Sequence, residues 1–324
     1  MPTRFQSQKF APEHVAEAAA LLADRHKRHR QAWPSLDPKF EDARNCEPLL
    51  TERLERGGAL GAVAIADGHV AGYVLTTPRE DATWGPNAWA EDVGSAGDGE
   101  AVRVAYAAIA GDLVDAGIRG HWAMVPASDD ELIEAWFSMS FGVQHVYALQ
   151  ASVSTDFQPR VPDELTIRRP TREDIPVMAQ LDLVLPEHVS RGPVFSTLRV
   201  PTLAETQAEL AQDFDDPKYS LWVAERDGAI VSELVGLNLD DSPSWTPLMK
   251  PVSAGFLGFA ATLPSARGLG AGRALTDVFK AWARDSGYQW LATDWRSTNV
   301  EANRTWQAMG FVPHYLRLYR AIPG

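Results

Sequence analysis

The chain has 324 residues, 45% of them hydrophobic, and a formal net charge of −13. That length exceeds one typical domain and supplies apolar residues for two cores, while the acidic balance excludes a general nucleic-acid binder, because a phosphate backbone would be repelled. The single cysteine, Cys46, excludes an intrachain disulfide, and neither a bilayer-length apolar run nor an apolar signal core at the N-terminus is present, so the expectation is a cytoplasmic protein with no membrane partner.

In chain order, Arg25-His26-Lys27-Arg28-His29-Arg30 falls on a helix and is expected to form a solvated face, its charges spread outward. The histidines lack companion cysteines or carboxylates at ligand spacing, so no metal is expected. Val63 to Val70 reads as strand, Asp-Gly turn, strand. Trp84-Gly85-Pro86-Asn87-Ala88 carries a proline expected to break strand pairing. Thr155 to Glu164, rich in proline and polar residues, is the natural linker. Beyond it come a strand at Leu165 to Arg169, a helix start at Thr171 to Asp174, and a helical region through Met178, Leu181 and Leu185. A second helix follows over Leu203 to Phe214, then hairpin strands at Ser220 to Glu225 and Ala229 to Leu237 and a buried strand at Ala254 to Leu263. After a further helix and a strand at Trp290 to Asp294, the last strands take in Phe311 to Pro313 and Tyr315 to Ala321.

The chain repeats itself. Val63 to Val70 parallels Val223 to Ile230, Asp115-Ala116-Gly117 parallels Asp285-Ser286-Gly287, and Trp136 to Phe141 parallels Trp306 to Phe311. Two copies of one fold are expected: residues 1–154, a linker at 155–164, and residues 165–324.

Only the second copy carries Arg267-Gly268-Leu269-Gly270-Ala271-Gly272-Arg273, between a strand and a helix marked by Leu275, Val278, Phe279 and Trp282. Side chains removed at alternate positions let backbone N–H groups turn toward an anion, and the helix adds its positive dipole end, so a pyrophosphate fits there. In the repeat register the first copy has Gly97 under Arg267, Asp98 under Gly268, Glu100 under Gly270 and Val102 under Gly272. Acid has replaced the loop, and the first copy is expected not to bind the same anion. Its expected role is to bury a face of its partner or to shape the acceptor pocket.

Arg267, Gly270 and Gly272, followed by Asn299, Ala302, Trp306, Gly310 and Phe311, resemble the two sequential motifs of the GNAT superfamily of acyl-CoA-dependent N-acyltransferases. The resemblance implies an α/β (α+β) fold of two tandem GNAT-like domains. Each would be a mixed, mostly antiparallel sheet flanked by helices, with a splay between the fourth and fifth strands. In architecture the two-copy layout is similar to mycothiol synthase, a two-module member, which does not fix the acceptor. The resemblance assigns acetyl-CoA as acyl donor, held by Arg267, Gly268, Leu269, Gly270, Ala271, Gly272 and Arg273, with Ala260, Ala261 and Thr262 along the pantetheine and Asn299 near the thioester. The implied activity is transfer of acetyl directly from the thioester to a primary amine of a small molecule, by a monomer or homodimer.

Such transfer needs a polarised carbonyl, a neutral amine and a departing thiolate. Many members of the superfamily carry a tyrosine where this chain has Trp306, and an indole N–H is not a usable acid. Tyr315, with Tyr319 behind it, is the candidate replacement; Asp294 is the preferred base, and Glu233 and His314 are the alternatives. The missing tyrosine keeps open a second class of function, a non-catalytic CoA-binding sensor or interaction protein. Gly270→Glu is expected to abolish cofactor affinity and leave the fold intact.

Overall fold

A computed structural model describes residues 5–81 and 85–323. The chain runs β1 (Gln6–Lys9), α1 (Val15–Ala32), α2 (Ala43–Glu55), β2 (Leu60–Ala66), β3 (His69–Asp81), β4 (Gly85–Ala90), β5 (Ser95–Gly97), α3 (Gly99–Asp115), β6 (Gly120–Pro126), α4 (Asp130–Phe137) and β7 (Gly142–Ala151). It continues with β8 (Thr166–Arg168), α5 (Ile175–Asp182), α6 (Val184–Val189), α7 (Leu203–Asp213), β9 (Ser220–Arg226), β10 (Ala229–Asn238), β11 (Ala254–Thr262), α8 (Ala271–Asp285), β12 (Trp290–Arg296), α9 (Val300–Ala308) and β13 (Val312–Ala321). Two compact units result, one of residues 1–147, 246–252 and 313–324, the other of residues 148–245 and 253–312.

Each unit repeats one plan. In the first the strand order is β1-β2-β3-β4-β6-β13, with β5 against β3; in the second it is β8-β9-β10-β11-β12. Neighbours are antiparallel except β4 with β6 and β11 with β12. The helix that crosses between those parallel strands is α3 in the first unit and α8 in the second. No helix among the described residues is long and apolar enough to cross a membrane.

The terminal strand sits with the first unit, whereas the linear division at 155–164 assigns it to the copy it follows. Seven residue pairs join β13 to β6 antiparallel, from Tyr315 opposite Pro126 to Ala321 opposite Gly120. Leu318 is fully buried in the core under α3 and α4, and Tyr319 on the other face packs at a tilt of 33° against Trp122, with ring centroids 4.3 Å apart. The pairs of expected terminal strands are therefore one strand.

Two expectations for the first copy are corrected. Pro86 does not break the sheet: Gly85–Ala90 pairs with β3 on one side and β6 on the other. Pairing with β6 begins at Asn87, so the amide that proline lacks falls outside that ladder. Trp84 lies outside the described residues. The basic run on α1 is not a solvated face, because Arg25, His26 and His29 are buried and only Lys27 and Arg28 are exposed. The Arg25 guanidinium donates to the backbone carbonyls of Asp92 and Ser95, and His26 Nε2 lies 2.9 Å from the Asp37 carbonyl oxygen. Burial holds His26 down at about 4, so its ring is neutral and fits a core.

The second unit follows its expected order closely, with the helical region before residue 190 split into α5 and α6. On α5, Met178, Ala179 and Leu181 are buried against the sheet. On α8, Ala271, Ala274, Leu275, Phe279 and Ala283 form the buried stripe. Burying one such Leu or Phe side chain contributes about 1.5–3 kcal/mol, which fixes the helix and with it the position of its N-terminus.

Candidate active site

The glycine loop starts where β11 ends. Pro264–Ala266 makes one tight turn, Gly268 and Gly270 take φ of +84° and +83°, and α8 begins at Ala271. Both positions lie in the left-handed region that favours glycine. Gly270 is the N-cap and has no side chain to cap with, so no side-chain oxygen meets the first turn. Among the described residues the amides of Gly270, Ala271, Gly272 and Arg273 donate no hydrogen bond, and the first bond into the helix is Ala274 N–H to the Gly270 carbonyl at 2.9 Å. Four outward N–H groups at a helix N-terminus form an anion cradle. A Cβ added at Gly272 would touch only Thr262 Oγ1, at 3.6 Å, so the fold does not need glycine there and the space above the amides is open. A diphosphate fits this cradle.

In the first unit the same place is filled. With the helix ends Asp115 and Asp285 matched, α3 has 17 residues against 15 in α8, so it runs back through the loop's position. Asp98 Oδ1 accepts from the amides of Glu100 and Ala101 at 2.9 and 3.0 Å, and Glu131 Oε1 from that of Gly99 at 2.9 Å. Carboxylates of the chain itself occupy the amides that an external anion would use.

The splay is visible in the register of β11. Its parallel pairing with β12 runs from Ala254 opposite Trp290 to Leu257 opposite Thr293 and stops, while its other edge stays paired with β10 as far as Thr262. Val235 faces Phe259 and the next residue, Gly236, faces Leu257, so Gly258 bulges out of the ladder. From Gly258 to Thr262 the strand therefore has one edge paired with β10 and none paired with β12. Ala260 and Thr262 are half-buried and Ala261 is buried.

Strand alternation then sorts the acids. Gly236, packed against Phe279 of α8, shows which face α8 covers; Glu233 projects to the opposite face, as does its cross-strand partner Ala261. Asp294, the residue after the last β11–β12 pair, projects to that same face on the other side of the splay. β10 and β12 place these two acids on either flank of the opened strand, with more than about 10 Å between their backbones, since two strand spacings of about 4.8 Å add to an offset along the strands.

Their environments differ. Asp294 is half-buried and accepts from the Trp245 indole N–H at 3.4 Å. Glu233 is only 1% exposed, and neither carboxyl oxygen meets an N–H or O–H donor. Burial first, and then the neighbouring Asp182 carboxyl, push its pKa well above the ordinary range. Asp182, the last residue of α5, is itself raised by burial and by Glu209. Sequence reasoning offers Glu233 only as an alternative and does not reach Asp182, whose one signal is a carboxylate adjoining the buried position Leu181.

Asn299 is buried and caps α9, its Oδ1 accepting from Ala302 N–H at 3.1 Å. It thereby fixes the helix whose first turn brings Glu301 to within 3.3 Å of Arg267. Trp306 packs edge-on against Phe311, with centroids 5.9 Å apart. Tyr315 belongs to the first unit; it is 1% exposed, its hydroxyl lies 3.4 Å from an Arg25 nitrogen, and burial raises its pKa. His314 is not a surface residue: it is fully buried in that unit, held down at about 3 by desolvation, with Nε2 2.8 Å from the Met249 carbonyl oxygen.

Comparison with known proteins gives the following likenesses. The family described as "Acetyltransferase (GNAT) family" matches residues 192–311. A mycothiol acetyltransferase of Thermomonospora curvata is 27% identical over 270 residues, 82% of each chain. Among solved structures, a GCN5-related N-acetyltransferase from Sphaerobacter thermophilus superposes with a TM-score of 0.56 at 16% identity, over 100% of this chain and 98% of that one. A tandem GNAT protein from the clavulanic acid biosynthesis pathway superposes with a TM-score of 0.50 at 13% identity, over 99% of each. These likenesses show the fold from end to end, and the family match falls on the unit with the open loop. The chain therefore has the fold of a tandem GNAT protein over its whole length, and its similarity to the GNAT acetyltransferase family model lies in the second unit.

Proposed function

We propose that the chain is an acetyl-CoA-dependent N-acetyltransferase that acetylates a primary amine of a small molecule, with its chemistry in the second unit. The observation that carries this reading is an open N–H cradle at the start of α8, joined through the splay after Leu257 to a buried carboxyl of raised proton affinity, Glu233, on the opposite face. The amides from Gly270 to Arg273 hold the donor's diphosphate, Arg267 adds charge beside it, and the free edge from Gly258 to Thr262 takes the pantetheine amides. Acetyl-CoA supplies the activated acyl group.

Glu233 serves as general base. Its carboxylate takes a proton from the acceptor's ammonium; the freed nitrogen lone pair forms the N–C bond while the C–S bond of the thioester breaks, and the second proton lost by the acylated nitrogen passes to the departing thiolate, giving a neutral amide and the free coenzyme A thiol. A carboxyl of raised pKa is a stronger base than an ordinary one, which suits an amine substrate near neutral pH. Asp294, across the splay, offers a negative charge to a cationic acceptor. Tyr315, expected as the acid, has a packing environment beside Arg25 in the first unit, so this reading gives it no proton to deliver.

Trp306 in the tyrosine position favours a second reading, a CoA-binding sensor that performs no transfer. Incubation with acetyl-CoA and a panel of primary amines, followed by free thiol and by product mass, separates the two. The enzyme reading expects amine-dependent thiol release with an acetamide product; CoA binding without release for any amine supports the sensor.

A further inference from the structure

The buried acid of the second unit does not stand alone. Glu233 on β10 has both carboxyl oxygens without a donor, and the polar side chain that reaches it is the Asp182 carboxyl at the end of α5. Two carboxyls bond to one another only when one of them carries a proton. The helix that presents Asp182 is seated firmly, since Met178, Ala179 and Leu181 are at most 1% exposed. Across the sheet Glu233 faces Val223 on β9 and Ala261 on β11, both apolar. The remaining charge acting on the pair is Glu209 of α7, which faces Asp182. Among the described residues the charged groups set against the pair are carboxylates, and a proton is the species that satisfies it.

We propose that Asp182 is a positioning residue for Glu233: its carboxyl holds the Glu233 carboxyl through one shared proton and aims the free oxygen at the acceptor amine. This rests on the reading of Glu233 as base. The pair takes up the proton released by the ammonium and spreads it over two groups, so the base is regenerated when the proton passes to Asp182 and on to solvent from its half-buried side. The acceptor class that follows is a cation, matched to the negative charge that Asp182 and Glu209 place beside Glu233.

Measurement of kcat/KM against pH on the full chain tests the assignment. Glu233→Gln lowers kcat by about 10²–10⁴-fold with the KM for acetyl-CoA unchanged. Asp182→Asn, which removes a negative neighbour and offers an amide donor to the Glu233 carboxylate, moves the acid limb to lower pH by roughly one unit and lowers kcat, again at constant donor KM. If Glu233→Gln keeps its turnover, the base reading fails; if it loses turnover but Asp182→Asn leaves the acid limb in place, the role of Asp182 alone is refuted. Should Asp182→Asn fail to fold, infrared spectra of the native protein decide: a protonated-carboxyl band that persists at neutral pH and disappears in Glu233→Gln is expected, and its absence overturns the shared proton.

Discussion

Valine at Gly272 separates the anion cradle from the fold that carries it. Gly270 is the less informative site, because its φ of +83° strains any side chain, so Gly270→Glu perturbs the backbone as well as the charge. Gly272 has no positive φ, and the nearest atom to an added Cβ is Thr262 Oγ1 at 3.6 Å, ordinary contact. Valine is also slightly better than glycine inside a helix, so the cost to folding is about zero and the melting temperature should hold. The repeat has Val102 at this position in the first unit, fully buried over a helix that meets no external anion. For binding the consequence is large. A branched side chain over the first turn keeps a diphosphate from about two of the open amides, and hydrogen bonds to a charged group are worth about 1.5–3 kcal/mol each. The loss is about 3–6 kcal/mol, a weakening of roughly 10²–10⁴-fold in Kd for coenzyme A. Titration calorimetry on the variant, with its melting curve alongside, reads both quantities. A folded Gly272→Val protein that binds coenzyme A with native affinity would refute the cradle.

Three other outcomes follow from the packing. Glu100→Gly creates no second coenzyme site, because Asp98 and Glu131 still occupy the first amides of α3; calorimetric stoichiometry should stay at its native value. Glu233→Gln stabilises the fold as it impairs turnover: with the folded-state pKa raised, the group's contribution is present in acid and lost as pH rises through that value, so the variant should melt higher than native at neutral and alkaline pH and equally in acid. Arg25→Leu leaves the buried carbonyls of Asp92 and Ser95 without their guanidinium donor and should cost about 2–6 kcal/mol in a denaturant titration, about 1–3 kcal/mol for each carbonyl, with acetyl-CoA affinity retained in the protein that remains folded.

What sequence made legible was local. Alternating glycines between a strand and an amphipathic helix are a covalent pattern, so the loop at Arg267 to Arg273 and the order of elements around it could be read directly. The hairpin at Asp227-Gly228 and its repeat at Asp67-Gly68 are equally local, with positive φ at all four residues. The rest depended on residues distant in sequence. Arg25 looks solvated on its own helix and becomes a core group only because carbonyls about 70 residues away turn toward it. The alternation of Tyr315, Arg317 and Tyr319 marks a strand but not its neighbour, and pairing with β6 moves it into the first unit. Asp182 and Glu233 acquire their chemistry from each other, a contact between a helix end and a strand that no spacing in the chain announces. Asp294 reads as a candidate from its place at the end of a strand, whereas the burial of Glu233 is a tertiary property that no spacing shows.

The account turns on which helix N-terminus grips the donor. A crystal structure of the full chain grown with coenzyme A decides it: the diphosphate should lie on the amides from Gly270 to Arg273, with pantetheine running along Gly258 to Thr262. Nucleotide density at the start of α3 instead, or a diphosphate that touches none of the second unit's loop amides, would contradict it.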